Sequence, residues 1–168
     1  MSESNRRRLF RIWRESDWPE VATFLGPNAE RFRSAYDKTR ARMAAERPGV
    51  VWSWCWPALV FGFAWFLYRK QWAIGAILLL LPMAIGYFFD LPSGGTAAVA
   101  VAVAAMAKSL VVQDAVARIA KIKDIGGGEA EIARAGGVSA AGGLIGGAIL
   151  ALGVAVLGWT LLEAGAAR

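Results

Sequence analysis

Residues 135–162 read AGGVSAAGGLIGGAILALGVAVLGWTLL, a run bounded by Arg134 and Glu163 with no charge between them. A bilayer core about 30 Å thick is crossed by roughly 20 apolar helical residues, so this run is long enough to span. Three more charge-free stretches precede it: Pro48 to Tyr68, Gln71 to Phe89, and Leu91 to Ala107. The core helices of soluble proteins rarely recur in this way. The expected fold class is all-α, an integral membrane helical protein with transmembrane helices at 71–89, 93–112 and 137–162. A Trp-rich helix over 48–70 is expected besides, either interfacial, re-entrant or a fourth span.

Composition points the same way. Of 168 residues 57% are hydrophobic and 19% charged, with a mean hydropathy of +0.42. Within the first 48 positions lie 18 of the 32 charged residues. This divides a cytoplasmic basic helical region, 1–47, from a membrane domain, 48–168. The chain has no histidine and a single cysteine, Cys55. Histidine-based triads, histidine-zinc sites, histidine-ligated haem and an internal disulfide are thereby excluded. No carboxylate pair, nucleophile with its base, or metal cluster is legible, so no catalytic residue, cofactor or metal is expected and the chain is not expected to be an enzyme.

Between the second and third stretches, Asp90-Leu91-Pro92-Ser93-Gly94-Gly95 breaks the helix and predicts a transmembrane hairpin. Its second arm alternates Ala and Val from Thr96 to Ala107. An isolated strand cannot satisfy its backbone in lipid, so a helix is expected, reaching about Val112 with Lys108 snorkelling to the interface. Val112, Val116, Ile119 and Ile122 then follow helical spacing, which predicts a cytoplasmic amphipathic connector over 113–134. Gly126-Gly127-Gly128 interrupts it. With no Gly-Lys-Ser or Gly-Lys-Thr after it and no strand before it, this triplet is not a phosphate loop.

Lys and Arg gather on the cytoplasmic side. If all four stretches cross and the N-terminus is inside, the basic residues divide 12 against seven. If the Trp-rich stretch stays on the cytoplasmic side, they divide 18 against one, Arg168 alone lying outside. The three-span arrangement fits the rule better.

Tryptophan prefers the headgroup level and cations pair with phosphates there. Trp52, Trp54, Trp56, Trp65, Tyr68, Arg69, Lys70 and Trp72 are the expected membrane-interface anchor. In the last stretch Gly142 and Gly146 are four apart, and Ser139, Gly143, Gly147 and Ala151 repeat the interval. Small residues at this spacing let helix backbones approach closely in lipid. The expected partner is the alanine face of the third span, Ala98 and Ala102 or Thr96, Ala100 and Ala104, or else a second copy or another subunit. Asp90, Lys108, Asp114 and the pair Arg69-Lys70 are the charges nearest the membrane core. Each sits at a predicted helix end within reach of water, which favours a structural role.

Near the start, Leu9, Phe10, Ile12 and Trp13 alternate with Arg6, Arg7, Arg8, Arg11 and Arg14. A basic, aromatic surface segment or a disordered basic arm is expected. Asp17 followed by Pro19 and Glu20 predicts a helix start, and Asn28 a cap for a helix to about Ala45 with Phe32, Tyr36, Thr39 and Met43 on one face. Partners are expected to be a bilayer with anionic headgroups and another membrane protein or a second copy. Nucleic acid is not expected, because the basic charge comes with no motif.

Phe24-Leu25-Gly26-Pro27-Asn28-Ala29-Glu30, then Trp52-Ser53-Trp54-Cys55-Trp56-Pro57-Ala58, then Phe61-Gly62-Phe63-Ala64-Trp65-Phe66-Leu67-Tyr68-Arg69-Lys70 form an ordered series. It resembles the bacterial membrane proteins grouped as domain of unknown function 2628. Those show Gly-x-Asn-Ala, Ser-Trp-Asn-Trp-Ala-Ala and Phe-Gly-Pro-Phe-Trp-x-x-Tyr-Arg-Lys. This chain departs from them at Cys55, Pro57 and Phe63. The resemblance implies a small bacterial inner-membrane protein without an assigned activity. Abundant association surface and almost no chemistry point to a scaffold or accessory subunit, with a small oligomeric transporter or channel as the alternative.

Overall fold

The computed structural model describes residues 3–89 and 94–166, and all its regular elements are helical. The expected hairpin turn at Asp90, Leu91, Pro92 and Ser93 lies outside the described residues, as does Arg168. α1 (Glu3–Glu15) and α2 (Trp18–Leu25) lead through a 3-10 turn (Ala29–Phe32) into α3 (Arg33–Ala44). Two short helices follow, α4 (Trp56–Phe61) and α5 (Phe63–Tyr68). Then come α6 (Trp72–Phe89), α7 (Gly94–Asp124), α8 (Glu129–Ala135) and α9 (Ala140–Ala166).

The spine is α7, one continuous helix where the sequence suggests a span ending near 112 and a separate connector. Its first half carries outward-facing Val99 and Val101. Its second half buries Ala107, Val111, Val112, Ala115, Val116 and Ile119 in the core of a helical domain. Apolar spacing passes unbroken through Asp114, which falls on another side of the cylinder, while Lys108 stands on the packed face itself, one turn from both Ala104 and Val112, and is only partly buried.

Around that half-helix pack α1, α2, α3 and α4. Trp13 and Tyr36 meet with ring centroids 5.9 Å apart, and Leu9, Phe10 and Ile12 lean on the same core. The apolar residues of α1 are thus taken up by the protein itself, and of the two alternatives, a surface segment or a disordered arm, the residues form an ordered amphipathic helix. Arg8 reaches Asp124 at 3.0 Å and Lys123 pairs with Glu20, tying α1 and α2 to the end of α7. The Tyr36 hydroxyl donates to the Ser16 carbonyl at 2.9 Å and fixes the α1–α2 corner.

The two expected caps occupy the right places without side-chain capping bonds. Asp17 has the extended backbone of a cap. Asn28 is left-handed, φ 67, and leads into the 3-10 turn rather than directly into an α-helix. Three residues after Gly128 in α8, Glu131 accepts that glycine's N–H at 2.9 Å. The bond holds the Glu131 carboxyl below its usual range.

By length and composition α7 and α9 are long and apolar enough to cross a membrane. At 18 residues α6 is about 27 Å long, close to the minimum span. Pro48–Lys70 contains no helix of that length. It runs extended along α7, forms α4, turns at Gly62 with φ 49, and returns as α5. Each of these six-residue helices is about 9 Å long, which excludes a single spanning helix here.

Candidate functional site

The extended lead-in to α4 is held by a polar seam. Ser53 N–H donates to the Ala105 carbonyl at 2.7 Å, and Cys55 N–H to that of Ala104 at 3.0 Å. Ser53 Oγ accepts the Ser109 N–H at 3.2 Å, while Ser109 Oγ accepts from Val51 N–H and from Gln113 Nε2. Gln113 also donates to the Gly49 carbonyl at 3.3 Å. Sequence reasoning misses this seam. Its signal is Ser109 and Gln113, two hydrogen-bonding side chains four apart on an otherwise apolar helix, beside a serine between tryptophans.

At the other end of the stretch, Tyr68, Arg69 and Lys70 form a junction. The Tyr68 carbonyl accepts Ser139 N–H at 2.7 Å, Arg69 Nη1 donates to Leu25 at 3.0 Å, and Lys70 Nζ donates to the Gly136 carbonyl. Lys70 itself is left-handed, φ 59, and Arg118 Nη2 donates to its carbonyl at 3.3 Å. Gly137 N–H donates to Phe24 at 2.6 Å, and a Cβ on Gly136 would lie only 2.0 Å from the Phe24 oxygen. Three passages far apart in sequence, around 24–26, 68–70 and 136–139, thus meet in one place. The side chains of Arg69 and Lys70 are thus engaged by backbone carbonyls of the protein itself.

The tryptophans divide into two groups. Trp52 (76%) and Trp56 (66%) are widely exposed, and Trp54, Tyr68 and Trp72 are also on the surface. Val60 and Phe61, not singled out from sequence, extend this apolar surface. Trp65 departs from the expectation: it is 8% exposed, stacked on Phe32 and edge-on to Phe66, a core residue rather than a surface anchor. Helical spacing sends Trp65 to the inner face of α5, which composition alone does not reveal.

The small-residue face also works differently from the expectation. Gly142 and Gly146 pack on α5, not on the alanines of α7. A Cβ at Gly142 would stand 2.4 Å from the Leu67 carbonyl oxygen, and one at Gly146 2.7 Å from the Ala64 Cα. Ser139 Oγ accepts the Gly142 N–H at 3.0 Å and caps α9. Gly143 faces the Tyr68 ring, Gly147 meets nothing within 4 Å, and Ala151 is exposed. Ala104 is occupied by the lead-in to α4 and unavailable to α9. Most of α9 beyond Gly146 lies open, with Leu152, Val154, Trp159 and Leu162 exposed.

Between α4, α5, the 3-10 turn and the start of α9 opens a cleft of about 700 Å³. Trp54, Trp56, Phe61 and Trp65 supply apolar walls, and Gly143 and Gly147 leave room along α9. Every charged residue on it is basic: Arg31, Arg69 and Lys108. None of the three forms an ion pair with a described residue. The Arg69 guanidinium lies 4.4 Å from the Phe32 ring centroid, its Nε is buried without a hydrogen-bond partner, and desolvation lowers its pKa from the ordinary arginine value. Asp114 is not in this cleft. It pairs with Arg118 at 2.8 Å, with the Gln71 amide 3.5 Å away. Among the described residues no group of three or more His, Cys, Asp or Glu could hold a metal.

A family described as protein of unknown function, DUF2628, matches residues 32–121, more than half of the chain. The chain belongs to that family. In this DUF2628 member the matched region covers α3 to α7 and the seam around Ser53, while α9 and its docking glycines lie beyond it. Phe24 to Ala29, part of the motif series, precedes it. No curated protein and no solved structure matches.

Proposed function

We propose that this DUF2628 protein crosses a bacterial inner membrane three times and acts as a non-enzymatic scaffold or accessory subunit of a membrane complex. In this reading α6, the first half of α7 and α9 are the spans, and α4–α5 dips into the cytoplasmic leaflet and returns. The N-terminal helices, α8 and the second half of α7 form a cytoplasmic domain. Both ends of the Trp-rich stretch bond to the cytoplasmic half of α7, Gly49 at Gln113 and Lys70 at Arg118, which supports a return to the same side. All basic residues but Arg168 then lie inside, as the charge rule favours.

The observation that carries the subunit role is α9. It docks through its first two turns and leaves the rest of an apolar helix exposed, with Leu152, Val154, Val156 and Leu162 free of intramolecular cover. A helix with small residues and an open flank suits packing against another membrane helix. Native mass spectrometry after extraction in mild detergent tests this. A heteromeric or homomeric complex that dissociates when Gly153→Trp and Gly158→Trp are introduced supports the reading, and a lone monomer contradicts it. A closed ring that conducts ions in vesicles would favour the channel instead.

A further inference from the structure

The cleft between α4, α5 and α9 has a composition that neither structural packing nor the subunit role requires. Its charged residues are all basic and lack carboxylate partners, although six ion pairs form elsewhere among the described residues. Arg69 is held between Phe32 and the Leu25 carbonyl with no carboxylate beside it, and a bound anion would supply the missing counter-charge. Next to these charges stand Trp56 and Phe61, largely exposed, and a strip of α9 where glycine leaves space. A ligand for this cleft needs an anionic head and an apolar body.

We propose that the cleft is a binding site for one anionic phospholipid, its phosphate held by Arg31, Arg69 and Lys108 and its acyl chain lying between Phe61 and Gly147. The volume, about 700 Å³, is in the usual range of ligand pockets and too small for a whole two-chain lipid. The headgroup and the first part of the chains enter, and the remainder stays in the bilayer. This inference rests on the membrane reading above and adds a discrete site to the general attraction of basic residues for an anionic leaflet.

Native mass spectrometry of the full chain released from nanodiscs of phosphatidylglycerol or of phosphatidylcholine tests it. The expected result is one retained phosphatidylglycerol, preferred at least tenfold over phosphatidylcholine. Retention should fall at least tenfold in the double variant Arg31→Gln, Lys108→Gln and in Gly147→Leu. Gly147 has open space at its Cβ position, so the leucine fills the cleft without disturbing a neighbour. Equal retention of both lipids, or retention unchanged in these variants, overturns the proposal. Displacement of the lipid by inorganic phosphate alone also overturns it, because the site then reads a soluble anion. Fractionation of the same cells separates the two readings: protein that resists carbonate extraction yet shows no lipid preference defeats only the lipid site, whereas protein released by carbonate defeats the membrane reading as well.

Discussion

Ser53 and Ser109 bond through main chain and side chain: the Ser109 N–H donates to Ser53 Oγ at 3.2 Å, one turn from where Ser53 N–H meets the Ala105 carbonyl at 2.7 Å. Ser53 therefore engages both members of a single α7 turn. The consequence is global. A stretch apolar enough to cross a bilayer is pinned along another helix before its first helical turn begins, and the remaining residues are used in two short helices that fold back.

Removing the seam should destabilise the protein measurably. Ser109→Ala leaves the buried Val51 N–H without its acceptor and removes one of the two acceptors of the Gln113 amide. The expected loss is about 1–3 kcal/mol, read as a lowered thermal midpoint in detergent. Ser34→Ala, at an exposed position of α3, should leave the midpoint unchanged.

The docking of α9 should depend on two glycines and be indifferent to others. Gly146→Ala places a methyl 2.7 Å from the Ala64 Cα, so the helices must separate. Overpacking of this kind costs about 1–3 kcal/mol. Gly153→Ala meets nothing within 4 Å and should be neutral or slightly stabilising. Thermal midpoints of the two variants, compared in the same detergent, check this contrast.

The aromatic residues should separate by burial, not by residue type. Trp65→Ala opens a hole beside Phe32 and Phe66 and should cost about 3–5 kcal/mol in unfolding experiments. Trp56→Ala, at an exposed ring, should leave stability within about 0.5 kcal/mol.

These contrasts show what was legible in the sequence. Windows free of charge located α6, α9 and the first half of α7 closely, since a long apolar run has few other uses, whereas the continuation of α7 to Asp124 was not marked by them. Gly142 and Gly146 were recognisable as a packing face because their four-residue interval survives any choice of partner. The partner itself was not legible, as it depends on α5 reaching Leu67 and Ala64 across more than 70 residues of chain. Nor was the break at Gly62, where a single left-handed glycine divides a run that hydropathy reads as continuous. The cleft escaped for a related reason: Arg31, Arg69 and Lys108 are remote in sequence and meet only through the fold.

Cys55 should resist alkylation from either side. The residue is 3% exposed and belongs to the same core cluster as Ala58 and Phe66. A permeant maleimide should label it only on unfolding, at least tenfold slower in the native protein than a cysteine introduced as Val60→Cys, which lies on the exposed face of α4.

The proposed three crossings of the membrane would place α3 and the far end of α9 in different compartments. Single cysteines introduced as Ser34→Cys and Glu163→Cys into a Cys55→Ala background, probed in intact cells with an impermeant maleimide, measure this directly. Glu163→Cys should label from outside, and Ser34→Cys only after the membrane is opened. Labelling of both positions from the same side would contradict a Trp-rich stretch that folds back.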